Sequence, residues 1–265
     1  MSFLSPSPQR IALGIDLSPL GRLRDRRQPN SGPDQIALAL LAQDAGADVI
    51  LLDLSEWSER HDPTNNLSHA SEIVHKLLKE LTIAIELTLP LTQSALKFAM
   101  EVAPDVVRFI DSREGTINPA FSQTESEIDA LAQQRNALLH ETGICEIAPI
   151  GAAQEQVRAA HRSGMQGVEI SAADYVMAAN PELQAHALEA LSNTAQEAVR
   201  RGLRVQIAGA LEHRHIPAIA AIDEIRQINV GYPVAVRALT IGWQQAVHEF
   251  KAVIAKASSR RQGVL

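Results

Sequence analysis

Short apolar runs alternate with longer segments of helical spacing from Arg10 to the end of the chain. The short runs predict eight strands, at 10–16, 48–54, 82–88, 105–111, 144–150, 167–172, 204–210 and 228–231. Apolar residues with a period near 3.6 predict helices at 34–46, 67–80, 91–102, 124–142, 152–163, 183–201, 215–222 and 241–257. This alternation is typical of α/β proteins with a parallel sheet.

Eight such units are the number that closes a TIM (β/α)8 barrel, a fold that commonly takes about 250 residues as one domain. The chain has 265 residues and shows no linker between two halves. We therefore predict a single TIM-barrel domain over 1–265, with strand one starting near residue 10. A doubly wound open sheet is the alternative, but the even spacing of the strands favours the closed barrel.

Composition excludes several classes of protein. The chain has 24 basic and 31 acidic residues, a formal charge of −7, and only 3% aromatic residues, which argues against nucleic-acid binding. No apolar run reaches the roughly 18 residues of a membrane span. The single cysteine, Cys145, permits no internal disulfide, and the N-terminus lacks the pattern of a signal peptide. We therefore expect a cytoplasmic protein without a membrane or nucleic-acid partner.

Ligands of such barrels bind at the carboxyl ends of the strands. The predicted strands carry polar or glycine residues there, namely Asp16, Asp53, Glu86, Asp111, Glu169, Ser171, Gly209 and Gly231. Glu86 stands among apolar neighbours, where desolvation favours the neutral acid, so we expect it to transfer protons. For Asp53 and Asp111, a helix cap or a salt bridge in a loop is an equally simple interpretation.

Three further features could bind ligands. The segment 21–27 holds four arginines, which suit phosphate or carboxylate recognition but also a solvated loop. Gly231 could open backbone N–H groups to a phosphate. The histidines His61, His213 and His215 follow strands and could reach the barrel mouth, although a third ligand for a metal is not identifiable. No glycine-rich phosphate loop, nucleophile elbow or zinc-protease motif occurs, so no cofactor is predicted.

The order of segments resembles the pyridoxine 5′-phosphate synthase family, whose members condense 1-deoxyxylulose 5-phosphate with 3-amino-2-oxopropyl phosphate. The resemblance spans about 11–254. It rests on Gly14-Ile-Asp16 with the arginine loop, Pro33-Asp-Gln-Ile-Ala37, Ala45-Gly-Ala-Asp48, Ile85-Glu86, Val168-Glu-Ile170, Gly202-Leu-Arg-Val205, Ala218-Ile-Ala-Ala-Ile222 and Ile228-Asn-Val-Gly231.

The resemblance implies roles for individual residues. Glu86 matches the catalytic glutamate of the family, and Glu169 matches the glutamate assigned to transition-state stabilisation. Asp16 is the surviving aspartate of the family's first motif. The remaining matches are substrate-binding positions: Arg24 or Arg26, Arg60 (or His61), Thr116, Gly209-Ala210 and Gly231-Tyr232.

The chain also departs from the family pattern at positions that carry chemistry. Leu17 follows Asp16 where the family has histidine. Asp53 replaces the catalytic histidine of strand two, and Ser55 replaces the arginine two residues later. Gly209 replaces the histidine that donates a proton after strand seven. These losses predict a divergent member that does not make the vitamin efficiently, with Asp53 retained as a possible proton acceptor.

Three functions remain open from the sequence. The first is an enzyme with altered chemistry on a small phosphorylated carbonyl compound. The second is a non-catalytic homologue that binds a ligand or a partner. The third is a metal-dependent aldolase or isomerase, because carboxylates at several strand ends suit a divalent cation. The family resemblance also implies a homo-oligomer, typically an octamer.

Overall fold

The computed structural model describes residues 10–21, 23, 32–54, 66–110, 139 and 141–261. Eight parallel strands close into a barrel in chain order, with the last strand paired to the first. They are β1 (Ala12–Asp16), β2 (Val49–Asp53), β3 (Ala84–Pro90), β4 (Val106–Ile110), β5 (Cys145–Ile150), β6 (Gly167–Ser171), β7 (Arg204–Ala208) and β8 (Gln227–Val230). The predicted TIM barrel is confirmed.

Helices surround the barrel. In the described ranges they include α1 (Ser18–Gly21), α2 (Gln35–Asp44), α3 (Asn66–Glu80), α4 (Gln93–Val102), α5 (Gln154–Arg162), α6 (Ala173–Met177), α7 (Pro181–Arg200), α8 (Ile216–Ala220), α9 (Tyr232–Ile241) and α10 (Trp243–Arg261). None of these helices is both long and apolar enough to cross a membrane. Most of the helix predicted over 124–142 lies outside the described residues.

Local side chains explain where several helices begin. Asp34 accepts hydrogen bonds from the backbone N–H groups of Ile36 and Ala37 at the start of α2. Thr92 caps α4 in the same way, and Asn180 caps α7, whose first turn contains a proline. Such caps satisfy N–H groups that have no partner inside the helix. They fix the entry of the chain into these three helices.

Two differences from the predicted elements affect the site. Strand β3 continues to Pro90, two residues beyond the prediction, whereas β7 ends at Ala208, two residues before it. Helix α9 was not predicted, and it begins with a glycine at the N-cap and a proline in the first turn. Proline fits the first turn of a helix, where its missing N–H costs nothing. The segment after β8 is therefore a helix of 10 residues.

Residues on each strand alternate between two environments. Outward residues such as Leu13, Ile50 and Val107 pack against the helices and form the main core. Inward residues form two small apolar clusters, Val49 with Leu51 and Ala84, and Val106 with Cys145 and Ile147. Other inward positions are polar. That polar part of the barrel interior holds the candidate site.

Candidate functional site

Inward-facing polar side chains from five strands meet in the middle of the barrel. The register pairs Glu169 with Gln206 across β6 and β7, and pairs Arg108 of β4 with Thr88 of β3. We call the connected set the central network. Its members are Glu86 of β3, Arg108 of β4, Glu169 of β6, Gln206 of β7, and Gln227 and Asn229 of β8.

Arg108 is the hub of the central network. Its Nη2 atom donates to Glu86, lies 2.6 Å from Oε1 of Gln206 and 3.0 Å from Oε2 of Glu169. Burial alone would lower the pKa of Arg108, but the carboxylates of Glu169 and Glu86 raise it above its ordinary value. Its Nε and Nη1 atoms are buried and have no hydrogen-bond partner among the described residues. Arg108 is thus a buried cation that forms ion pairs with two carboxylates, those of Glu86 and Glu169.

Glu86 is enclosed by polar groups. Its Oε2 accepts a hydrogen bond from Arg108, and its Oε1 accepts from the amides of Gln206 at 2.9 Å and Gln227 at 3.0 Å. The side chain is 0% exposed. The apolar neighbours expected along the strand are present, but they face outward, so polar groups surround the carboxylate inside the barrel. Because β3 continues for four residues after Glu86, this carboxylate also lies below the strand end.

Glu169 lies nearer the mouth and keeps some exposure, with 14% of its side chain accessible. Its Oε2 accepts from Asn229 and Arg108, whereas the described residues provide no hydrogen bond to Oε1. Burial raises the pKa of Glu169, Arg108 opposes this rise, and the charge of Glu86 adds to it. Glu169 is thus a carboxyl group with one engaged and one available oxygen.

Asp16 and Asp53 lie at the ends of neighbouring strands on the rim of the barrel. Asp16 accepts hydrogen bonds from the backbone N–H of Ser18 at 2.9 Å and from the Ser18 hydroxyl. That hydroxyl oxygen in turn accepts the backbone N–H of Asp53 at 3.0 Å. Burial raises the pKa of Asp16, while the Ser18 hydrogen bonds lower it and Asp53 raises it. Ser18 therefore links the carboxylate of Asp16 to the backbone of Asp53 at the mouth.

Gly231 connects β8 to α9 beside Asp16. A Cβ atom at this position would lie 3.0 Å from Oδ2 of Asp16, so a larger residue would require Asp16 to shift by a few tenths of an ångström. No side chain caps the first turn of α9. Tyr232, the first residue of the helix, is 66% exposed. The N-terminus of α9 thus opens beside the mouth, which is the position where barrels of this type bind phosphate.

Gly209 and Ala210 lie beyond the end of β7 and are exposed. Gly209 has a φ of +149°, a conformation that residues with a side chain rarely adopt. A histidine at this position would therefore be strained in the present backbone.

The side chains of His213 and His215 pack against aromatic residues of the outer helical layer. The ring of His215 packs edge-on against Tyr175 of α6, and its Nδ1 lies 3.1 Å from the backbone nitrogen of Glu212. The ring of His213 stacks on Phe250 of α10 with 4.0 Å between ring centroids. In the ranges described, no group of three or more His, Cys, Asp or Glu residues is placed to hold a metal ion.

Several predicted residues cannot be placed, and others were missed. Outside the described residues lie Arg24, Arg26, Arg60, His61, Asp111 and Thr116. Arg108 was not identified from the sequence, nor were the amides of Gln206, Gln227 and Asn229. The sequence did contain an indication, because an arginine inside the apolar run Val-Val-Arg-Phe-Ile needs a buried acid as partner.

Solved structures with a similar fold share little sequence with this chain. A tryptophan synthase α-subunit mutant from Pyrococcus furiosus matches with a TM-score of 0.59 and 15% identity, over 92% of this chain and 96% of that one. A phosphoribosylanthranilate isomerase from Thermotoga maritima gives a TM-score of 0.53 and 12% identity, over 93% and 99%. At these identities, the likeness supports the barrel fold alone.

Sequence comparison is more specific. A curated pyridoxine 5′-phosphate synthase from Syntrophotalea carbinolica is 28% identical over 245 residues, which cover 92% of this chain and 99% of that protein. The sequence model of the family described as pyridoxal phosphate biosynthesis protein PdxJ matches residues 13–256. The resemblance inferred from the ordered segments is therefore confirmed. The chain belongs to the PdxJ family.

Proposed function

We propose that the barrel mouth binds a small phosphorylated carbonyl compound and that its chemistry differs from efficient pyridoxine 5′-phosphate synthesis. Membership of the PdxJ family and the similarity to a named synthase support a site for a phosphorylated metabolite. The phosphate group would meet the N-terminus of α9 next to Gly231, because the first N–H groups of a helix have no partner within the helix and favour an anion.

The observation that carries the altered chemistry is the set of side chains in the barrel. None of the described strands contains a histidine. The condensation requires several proton transfers, and each general acid or base contributes roughly 10²–10⁴-fold to a rate. Asp53 can still accept a proton at the rim, but Gly209 can donate none. Two acid–base groups of the family reaction are therefore absent from their places.

Calorimetry with a simple sugar phosphate tests the binding part of this proposal. We expect measurable binding at low salt that weakens as salt rises, because attraction between charged groups near the surface is screened. Tyr232→Asp would place a negative charge in the first turn of α9 and should weaken phosphate binding by about fivefold or more, since nearby like charges cost on the order of 1–4 kcal/mol.

The matched control is Tyr232→Asn, which removes the same ring and adds no charge. It should bind the sugar phosphate more tightly than the aspartate variant does. Equal affinities of the two variants would show that the N-terminus of α9 does not bind the phosphate group. Absence of any phosphate-dependent heat at low salt in the unmodified protein would contradict the proposed ligand class.

A second candidate is a binding protein without catalysis. The observation that favours it is the burial of Glu86 in an ion pair with Arg108, which leaves no free oxygen on the glutamate expected to act as base. In this case the sugar phosphate would bind without being converted. Product analysis after prolonged incubation with the ligand separates the two candidates.

A further inference from the structure

We infer that Arg108 is a positioning residue that commits Glu86 to a buried ion pair, and that Glu169 is the carboxyl group of this pocket that exchanges protons with a bound compound. The inference rests on the proposed function, because it assigns roles within the same site. It also reverses the expectation from sequence, which gave the proton-transfer role to Glu86.

Glu86 is ill placed to act on a ligand. Both oxygens accept hydrogen bonds, from Arg108 on one side and from Gln206 and Gln227 on the other. With 0% exposure, it is covered from every direction. Contact between a ligand and Glu86 would require Arg108, Gln206 or Gln227 to move, and moving Arg108 would leave buried charges without a partner. Glu86 therefore serves as the counter-ion of Arg108.

Glu169 differs in the features that matter for proton transfer. It contacts the same Nη2 atom of Arg108 at 3.0 Å, but its side chain is 14% exposed and Oε1 accepts no hydrogen bond from the described residues. It also lies close to the mouth, because β6 ends only two residues after it. A compound entering from the carboxyl end of the barrel would meet Glu169 before Glu86.

The charges around Glu169 favour a group that can gain and lose a proton. On the described elements, Arg108 faces it from β4, and the carboxylates of Glu86 and Asp16 lie on β3 and β1. Its other direct contact is the neutral amide of Asn229. Burial raises the pKa of Glu169, and the two neighbouring carboxylates act in the same direction. Arg108 opposes them and keeps the ionised form accessible.

The resulting step needs no further reactant. The Glu169 carboxylate accepts a proton from a C–H or N–H bond of the bound compound and becomes the neutral acid. The electron pair of that bond stays on the compound. The neutral acid then returns the proton to an oxygen or carbon of the compound, which restores the carboxylate.

The test is an infrared titration of the whole protein carrying 13C-labelled glutamate. This label makes glutamate carboxyl signals distinct from those of Asp16 and Asp53, and it requires no ligand. We expect one glutamic acid signal that persists above the pH at which surface glutamates ionise. This signal should disappear in Glu169→Gln and remain in Glu86→Gln. A signal that survives in Glu169→Gln and disappears in Glu86→Gln would overturn the inference.

Variants of Arg108 test its positioning role. Arg108→Met removes the only cation that faces Glu169 on the described elements, so the persistent signal should ionise at a higher pH. Should this variant fail to fold, Arg108→Lys decides the matter: lysine keeps the charge but lacks the planar guanidinium, and we expect a smaller change in the same direction. An unchanged titration in whichever variant folds would refute the role of Arg108. Because no ligand is used, the titration stands or falls separately from phosphate binding.

Discussion

The centre and the rim of the barrel mouth contain similar side chains in opposite states. At the centre, Glu86 and Arg108 are buried, and both oxygens of the glutamate accept hydrogen bonds. Nearer the mouth, Asp16 on the rim and Glu169 at the outer side of the central network are partly exposed and have a raised pKa. The difference shows that a carboxylate in an apolar strand can be either the buried counter-ion of an arginine or a partly exposed group that faces the mouth. Its hydrogen-bond partners decide which of the two it is.

The central ion pair should give the largest effect when it is broken. Arg108→Met leaves Glu86 and Glu169 buried without their cation, and removing one partner of a buried pair typically costs about 3–5 kcal/mol. We expect a loss of unfolding free energy of this size, measured by urea denaturation at neutral pH.

The double variant Arg108→Met/Glu86→Gln is the matched control. Glutamine keeps the shape of Glu86 and removes its charge, and replacing a whole buried ion pair by neutral groups is often close to neutral in stability. Most of the lost stability should therefore return. A double variant as unstable as Arg108→Met alone would show that the arginine acts through packing and not through charge.

Gly14 allows the side chain of Asn229 to lie across β1. A Cβ atom at residue 14 would stand 2.0 Å from Oδ1 of Asn229 and 2.8 Å from Cδ1 of Leu51. Gly14→Ala should displace the amide from Glu169 and lower the unfolding free energy by about 1–3 kcal/mol. Gly151→Ala is the control, because its Cβ would meet its nearest neighbour only at 3.4 Å. Equal losses in the two variants would contradict the close approach at Gly14.

A smaller effect should appear in the pH dependence of stability. Because the pKa of Glu169 is raised in the folded protein from its ordinary 4.5, the folded state holds a proton that the unfolded state has released. Unfolding free energy should therefore fall as pH rises from about 4.5 through the folded-state pKa, with a slope of at most about 1.4 kcal/mol per pH unit for one proton. Glu169→Gln should lose this contribution.

The comparison must be made as a difference between variant and wild type. Burial lowers the pKa of His213 and His215 from 6.5, so these residues add a slope of opposite sign as pH falls below that value. Their contribution is common to both proteins and cancels. Identical pH profiles for wild type and Glu169→Gln would show that the pKa of Glu169 is not raised in the folded protein.

The barrel was predictable because its strands are apolar runs of the right length and number. Two carboxylates near the mouth, Asp16 and Glu169, were predictable because they are acids in or at the end of such runs, where they need a polar mouth or a partner. The central network was not predictable in the same way. Each contact of Arg108 joins residues at least 22 positions apart, up to 98 for Gln206, and depends on the register of strands that only the closed barrel fixes.

Helix α9 shows a second limit of the sequence pattern. Its glycine and proline have one interpretation in a loop and another at the start of a helix, and the choice depends on how β8 delivers the chain to the outer layer. Glu86 shows a third limit. Its neighbours along the chain are apolar, but the groups that determine its state come from three other strands.

The most direct test of the account is the family reaction itself. The purified protein would be incubated with 1-deoxyxylulose 5-phosphate and 3-amino-2-oxopropyl phosphate, and pyridoxine 5′-phosphate would be measured beside the synthase from Syntrophotalea carbinolica as positive control. Because we propose that Asp53 and Gly209 stand where the family has its strand-two histidine and its later proton donor, we expect no detectable product at an enzyme amount with which the control reaction is complete. Product formation at a rate comparable to the control would contradict the account.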